Sequence, residues 1–227
     1  MRGYGQYCPV AKAAEVLGER WTLLIVRDLV TGAHRFNELQ RGLPGISRTL
    51  LSQRLRRLQA DGLVERRPGA SGREEYWLTP LGRDLEPALM ALGEWSARNF
   101  SREPRRDELE PGVLMLWIER NVRKEALPRQ RFVARFEFRG ARPPRAWLVV
   151  EDGTPSACLE DPGLDVDLVV TSDMRTLHLV FSGRQGLSAA LRAGAIELEG
   201  LATQRGGFMR WFGFSPFAPA ARAALAG

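Results

Sequence analysis

Residues 43–67, LPGISRTLLSQRLRRLQADGLVERR, limit the folds open to this chain more than any other segment. A Leu-Pro-Gly turn runs into an arginine-rich stretch, a glycine corner follows at Gly62, and a strand-like run closes it. Leu50, Leu51, Leu55 and Leu58 recur at helical spacing, so one side of the predicted helix must enter a core. At about 100° per residue the opposite side is centred on Thr49, Ser52, Gln53 and Arg56. Hydroxyl, amide and guanidinium groups on one helical face are the chemistry that reads base edges and phosphates. The segment therefore predicts a helix suited to the major groove of duplex DNA, with Ser47 as its N-cap.

Charge distribution points the same way. Through Arg106 there are 18 basic and 12 acidic residues, whereas residues 107–227 hold 15 of each. The whole net charge of +6 thus belongs to the first half. Within residues 20–73, 11 arginines face only Asp28, Glu38, Asp61 and Glu65. Such an excess suits a polyanion partner through phosphate neutralisation and counterion release. No apolar run approaches the roughly 18 residues of a membrane helix, and the N-terminus lacks a secretory h-region, so no membrane partner and a cytoplasmic location are expected. The two cysteines, Cys8 and Cys158, and the two histidines, His34 and His178, make neither a metal site nor a catalytic triad. No cofactor, metal site or enzymatic activity is expected. His178 reads as a core or rim histidine.

Around the candidate helix the pattern is helix, helix, helix, hairpin, helix. Pro9 opens a helix over residues 9–17, ended by Gly18. Residues 21–29 form an apolar, central helix, and residues 35–40 a short one with Phe36 and Leu39 inward. Runs 63–67 and 74–78 flank Pro68-Gly69-Ala70-Ser71-Gly72-Arg73, a β-hairpin with a basic tip. Thr79-Pro80 caps a further helix over residues 81–100, whose stripe (Leu81, Leu85, Ala88, Leu89, Leu92, Trp95) exceeds what a small domain covers. That surplus, with Tyr4, Tyr7 and Val10 of the N-terminal arm, predicts a twofold homodimer through Tyr7, Val10, Leu85, Leu89, Leu92 and Trp95.

The resulting winged helix-turn-helix resembles the HxlR-type transcriptional regulators. The resemblance is carried by Cys8-Pro9-Val10, Arg20-Trp21-Thr22-Leu23-Leu24-Ile25, Arg35-Phe36-Asn37-Glu38-Leu39 and Leu43-Pro44-Gly45-Ile46-Ser47. Leu51-Ser52-Gln53-Arg54-Leu55, Gly62-Leu63-Val64-Glu65-Arg66 and Tyr76-Trp77-Leu78-Thr79-Pro80-Leu81-Gly82 continue it. It covers residues 7–100 and implies a dimeric regulator, in the first instance a repressor, bound to a palindromic double-stranded operator. On that reading Thr49, Ser52, Gln53 and Arg56 enter the major groove, with Ser47 and Arg48 at the helix start. Arg35 contacts phosphate, Arg67 and Arg73 flank the wing tip, and Arg54 leans inward to a structural ion pair. Cys8 stands just before a helix start, where some HxlR-type relatives carry an oxidation or electrophile sensor; a small apolar residue at the dimer seam is the alternative.

The second half alternates strands and helices. Residues 102–108 are charged and contain proline, as a linker does. A helix is expected over residues 113–127, strands at 131–138, 146–150, 157–159, 165–171 and 195–199, and helices at 174–181, 187–192 and 201–212. Asp173 is placed to cap the first of those last three. The run Asp167-Leu168-Val169-Val170-Thr171, Thr176-Leu177, Phe181-Ser182-Gly183, Leu187-Ser188-Ala189-Ala190-Leu191 and 192–200 (RAGAIELEG) is similar to the sterol carrier protein-like fold. That family encloses an apolar tunnel, which implies a hydrophobic small-molecule effector here. Trp117, Trp147, Phe181, Phe208, Trp211 and Phe212 are the aromatic candidates for a pocket, although aromatics fill a core equally well. The expected architecture is α+β: an N-terminal winged helix-turn-helix domain (1–101), a linker (102–112) and a sterol carrier protein-like α+β domain (113–227). An apolar-ligand domain uncoupled from DNA binding, or sensing through Cys8 alone, are the competing readings.

Overall fold

The computed structural model describes residues 3–69, 72–100 and 102–226; the hairpin-tip positions Ala70 and Ser71, the first two residues and position 101 lie outside the described residues. The chain divides into two compact units, Met1–Leu92 and Gly93–Gly227.

The first unit runs α1 (Pro9–Leu17), α2 (Thr22–Val30), α3 (Phe36–Gly42), α4 (Arg48–Ala60), β1 (Val64–Pro68), β2 (Glu74–Leu78), α5 (Pro80–Arg83) and the start of α6 (Glu86–Asn99). Helix α1 begins at Pro9, whose missing N–H is no loss in a first turn, and ends on Gly18 as its C-cap. Helix α2 is central: Ile25 and Val26 are fully buried and Leu29 nearly so. They pack with Leu39, Leu43, Ile46, Leu51, Leu55, Leu58, Leu63, Val64 and Leu78 in one apolar cluster. Phe36 and Leu50 are only partly buried against it. The β1–β2 hairpin is antiparallel, with Val64 opposite Leu78 and Pro68 opposite Glu74.

The single helix expected over residues 81–100 is two. Helix α5 stops at Arg83 and α6 starts at Glu86. Pro87 accounts for the break: it has no N–H for the residue 83 carbonyl and its ring crowds that carbonyl, whereas in the first turn of a new helix the missing donor is no loss. The stripe is divided accordingly. Leu85 and Leu89 lie against the unit's own core, while Leu92 and Trp95 stay about half exposed.

The second unit continues with a 3-10 turn (Arg106–Glu108), α7 (Pro111–Asn121), a second 3-10 turn (Lys124–Ala126), β3 (Phe132–Arg139), β4 (Arg145–Glu151), β5 (Thr154–Cys158) and β6 (Leu168–Asp173). Then follow α8 (Met174–Phe181), α9 (Leu187–Arg192), β7 (Ile196–Gly200), α10 (Ala202–Trp211) and α11 (Ala218–Ala226). The sheet order is β5-β4-β3-β6-β7. Only β3 and β6 are parallel neighbours; the other pairs are antiparallel. Phe132, Ala134, Phe136 and Phe138 alternate on β3, and with Ala146, Leu148, Val150, Leu168 and Val170 they line the sheet face buried in the core. Helices α7, α8 and α10 supply Met115, Ile118, Leu177, Val180, Phe208 and Trp211 to the same cluster. Gly213 is required by close approach, since a Cβ there would lie 1.5 Å from the Asn121 carbonyl oxygen.

Several sequence expectations need correction here. The helix placed at 113–127 ends at Asn121 and is followed by the 3-10 turn. The strand placed at 157–159 is Thr154–Cys158, because it pairs with β4 across the Asp152-Gly153 turn, where both residues have positive φ. The strand placed at 165–171 begins only at Leu168. Helix α11 has no counterpart among the elements expected from sequence, and the charged linker contains the Arg106–Glu108 turn, tied by the Arg102–Glu108 and Arg105–Asp107 ion pairs.

Asp173 caps α8 as expected, accepting from the Thr176 backbone N–H at 2.8 Å and its hydroxyl at 2.7 Å. Burial pushes its carboxyl pKa up, but the Thr176 hydrogen bonds outweigh that and hold it below the ordinary value. Asp173→Ala is expected to cost about 1 kcal/mol. A depressed folded pKa means the contribution is present at neutral pH and disappears as pH falls through that lowered value. Urea midpoints for wild type and variant should therefore differ at pH 7 and draw together as pH is taken below the ordinary carboxylate range; a gap that stays constant through that descent would exclude the capping carboxylate as the cause.

Candidate nucleic-acid interface

Helix α4 is built as two chemistries on one cylinder. Ser47 accepts from the Leu50 backbone N–H at 3.1 Å and starts the helix. Leu51, Leu55 and Leu58 are no more than 1% exposed, which fixes the rotation of the helix against α2 and α3 residues. Thr49, Gln53 and Arg56 are consequently exposed, and Ser52 is half-buried beside them. Among the described residues neither Gln53 nor Arg56 has a side-chain partner, so an amide and a guanidinium stand free on the same face.

The surrounding arginines are engaged differently. Arg54 forms an ion pair with Glu19 and donates from Nε to the Arg20 carbonyl at 3.2 Å, the inward structural role expected of it. Arg48, exposed at the helix start, donates to Gln40 Oε1 at 2.9 Å and lies over the Phe36 ring at 4.9 Å. Arg35 reaches Glu75 Oε1 at 3.4 Å, and Arg66 reaches Glu74 Oε2 at 3.0 Å. Arg67 pairs with Glu65 and stands 5.5 Å from the Trp77 ring centroid. Arg73 is exposed at the hairpin tip, where its carbonyl accepts from Gly69. Exposed pairs of this kind are worth at most about 1 kcal/mol, so each guanidinium can exchange its carboxylate for a phosphate.

Sequence reasoning counted Glu65 but missed the two other acids that the wing carries. Glu74 and Glu75 stand just outside the arginine-rich window of residues 20–73. The wing base is further anchored by His34, whose ring stacks on Trp77 at 3.6 Å and whose Nδ1 lies 3.1 Å from the Tyr76 carbonyl.

The remaining candidates separate by place. Tyr4 and Tyr7 are exposed in the N-terminal arm and Val10 on α1, while Leu92 and Trp95 are exposed on α6. Cys8 is the N-cap residue of α1, partly exposed. In the second unit Phe181, Phe208, Trp211 and Phe212 are buried in the core cluster, with Trp117 packed at its edge; Trp147 is buried on β4. Phe208 meets Trp211 edge-on at 5.0 Å and Phe212 at 5.0 Å. Trp211 also walls a cleft of about 440 Å³ together with Phe132, Arg131, Gln204 and Arg210. No helix among the described residues is long and apolar enough to cross a membrane, and no group of three or more metal-ligating side chains occurs among them.

Three helices, a helix presenting free polar groups, a two-stranded wing and a closing helix define a winged helix-turn-helix protein. The sequence profile described as HxlR-like helix-turn-helix matches residues 16–104. The HTH-type transcriptional regulator YvaP of Bacillus subtilis, itself uncharacterised, is 39% identical over 94 residues, covering 40% of this chain and 87% of that protein. The chain belongs to the HxlR-like helix-turn-helix family. Uncharacterised regulator Rv3095 of Mycobacterium tuberculosis is 50% identical over 95 residues, which is 41% of this chain and 60% of Rv3095. The chain thus spans about three fifths of the length of that relative. The solved structure of the redox regulator HypR in its reduced form is similar at 35% identity, covering 41% of this chain and 95% of that one, with a TM-score of 0.39.

Proposed function

We propose that the protein is a homodimeric, DNA-binding transcriptional regulator, a repressor, that places one α4 in each half-site of a palindromic operator. The carrying observation is the free polar face of α4 opposite three fully packed leucines. Thr49, Ser52, Gln53 and Arg56 read base edges; Ser47 and Arg48 at the helix start, Arg35 before α3 and Arg67 and Arg73 on the wing hold the backbone. Phosphate contact replaces the wing's ion pairs, so affinity falls with salt less steeply than the arginine count suggests. The dimer closes through Tyr7, Val10, Leu92 and Trp95, with Tyr4 beside them and the partly buried Leu85 and Leu89 at its edge, because large apolar groups left exposed together on a helix and its neighbouring arm call for a covering surface. Sedimentation at micromolar concentration should return a dimer; monomer alone would refute that contact.

The functional division we adopt is 1–101 for DNA binding and dimerisation, 102–112 as linker and 113–227 as a sterol carrier protein-like domain. The motifs behind that likeness fall on β6, α8, α9 and β7, one contiguous strand-helix-helix-strand unit. An apolar effector lodged among Phe181, Phe208, Trp211 and Phe212, with Trp117 at the edge, would need those rings to part, so occupancy should alter their packing; Trp147 alternates with the core-facing Ala146 and Leu148 on β4 and so stands apart from that group. Native mass spectrometry of freshly purified protein reports subunit number and retained ligand together. A dimer carrying a hydrophobic molecule is expected; a dimer without one, with tryptophan emission indifferent to added lipids, would remove the effector. The alternative effector is an oxidant or electrophile at Cys8, favoured by its partly exposed position at the N-cap of α1. Under that reading Cys8→Ser abolishes the response of operator affinity to peroxide.

A further inference from the structure

The second unit holds a cleft of about 390 Å³ whose chemistry differs from that of an apolar tunnel. Phe100, Leu179 and Phe217 form its apolar walls, and Arg184, His178 and Ser215 its polar ones. Arg184 is half-buried and spends both terminal nitrogens on backbone carbonyls, Nη1 to Arg102 at 2.6 Å and Nη2 to Phe100 at 2.9 Å. Those acceptors are neutral. Nearby Arg102, Arg105 and Arg175 are each paired with a carboxylate, from Glu108, Asp107 and Glu103, whereas Arg184 has no ion-pair partner among the described residues. A guanidinium carries five N–H donors, so donors remain after two carbonyls are served. Partial desolvation makes an anion beside such a cation worth more than it would be in water.

His178 faces the same space from α8. Its ring is largely buried and has no hydrogen-bond partner among the described residues. Burial first, then the positive charge of Arg184, lowers its pKa, while Glu108 pulls it the other way. At neutral pH the ring is therefore uncharged and offers one N–H and one lone pair. Ser215 Oγ accepts from the Phe217 N–H at 3.3 Å, which leaves its own proton to donate.

We propose that this cleft binds a small organic monocarboxylate, its carboxylate on Arg184 with His178 and Ser215 alongside and its hydrocarbon body against Phe100, Leu179 and Phe217. The charge count selects a single negative charge. Arg102 and Glu108 cancel, Arg184 is left, and a dianion would set its second charge against Glu108. The volume lies in the range of small-ligand sites. Since Arg184 also holds the carbonyls of Phe100 and Arg102, one guanidinium ties the ligand, the chain after α6 and α8 together. The inference depends neither on DNA binding nor on an apolar effector among the sheet-side aromatics.

The two histidines allow a direct test on the full chain, since His34 and His178 give one imidazole signal each and His178→Gln assigns them. Phenylacetate is titrated against 2-phenylethylamine and 2-phenylethanol, which match its shape without its charge. Phenylacetate should shift the His178 signal saturably with a dissociation constant on the order of 1 mM or below, leaving His34 in place. Amine and alcohol should bind at least about tenfold more weakly, and Arg184→Met should weaken phenylacetate by about tenfold or more. Should Arg184→Met fail to fold, Arg184→Gln removes the charge while keeping a donor for the carbonyls, and the same loss is expected. No shift of His178, equal shifts with all three probes, or undiminished affinity in the charge-removed variant would overturn the site.

Discussion

Replacing Gln53 and Arg56 together with alanine should lower affinity for a selected operator by a factor on the order of 100 or more, with the unfolding midpoint unchanged. Each bidentate base contact contributes about 1–3 kcal/mol of discrimination, and about 1.4 kcal/mol is a factor of ten. Removing both side chains from each half-site of a dimer therefore places the effect well outside experimental scatter. Stability should be untouched because both side chains are exposed and neither has a protein partner among the described residues. Fluorescence anisotropy against operator and scrambled duplex, with calorimetry on the same samples, measures both. Retention of affinity and selectivity would mean α4 is not the reading element.

Leu55→Ala, two positions from Gln53 and one from Arg56, should behave in the opposite way. Leu55 is 1% exposed inside the first unit's core, between Leu51 and Leu58 on the same stripe. Truncation of a packed leucine costs about 3–5 kcal/mol, the transfer term plus the cavity. Against a total stability of about 5–15 kcal/mol for a domain, that removes a large share. A unit of this size should melt roughly 10 °C lower or more, while operator affinity measured well below the transition stays within a few-fold of wild type. A loss under about 1 kcal/mol would mean that the cavity collapses or that Leu55 is not in the core.

The contrast between these neighbouring positions also explains what was legible in the chain. Local, periodic signals were readable: the leucine stripe of α4, Ser47 and Asp173 as caps and Gly18 as a stop. Pro87 was equally visible, yet the apolar stripe from Leu81 to Trp95 outweighed it in the reading; the proline decided the backbone. Helix α11 is short and alanine-rich, with Pro219 in its first turn, so no apolar period marks it. What could not be read is non-local. Arg35 and Glu75 are 40 residues apart in sequence. Arg184 is held by carbonyls of residues 82 and 84 positions away, and a backbone carbonyl has no sequence signature. Whether Phe208, Trp211 and Phe212 enclose a cavity or fill a core is likewise settled by how three elements meet, not by which residues they are. For the interface, residue types and the outward face were available from spacing, whereas the acids that occupy the wing arginines were not.

The most direct test of base reading by α4 is a change of preference rather than a loss of binding. Operators selected from a randomised duplex library by the full-length chain, and separately by Gln53→Lys, should both be inverted repeats. Relative to wild type, the variant should prefer a different base at one position, repeated symmetrically in the two half-sites, because an amide suited to adenine is replaced by an ammonium suited to guanine. Selected sequences that are identical for the two proteins, or that differ at no fixed position, would contradict docking of α4 in the major groove.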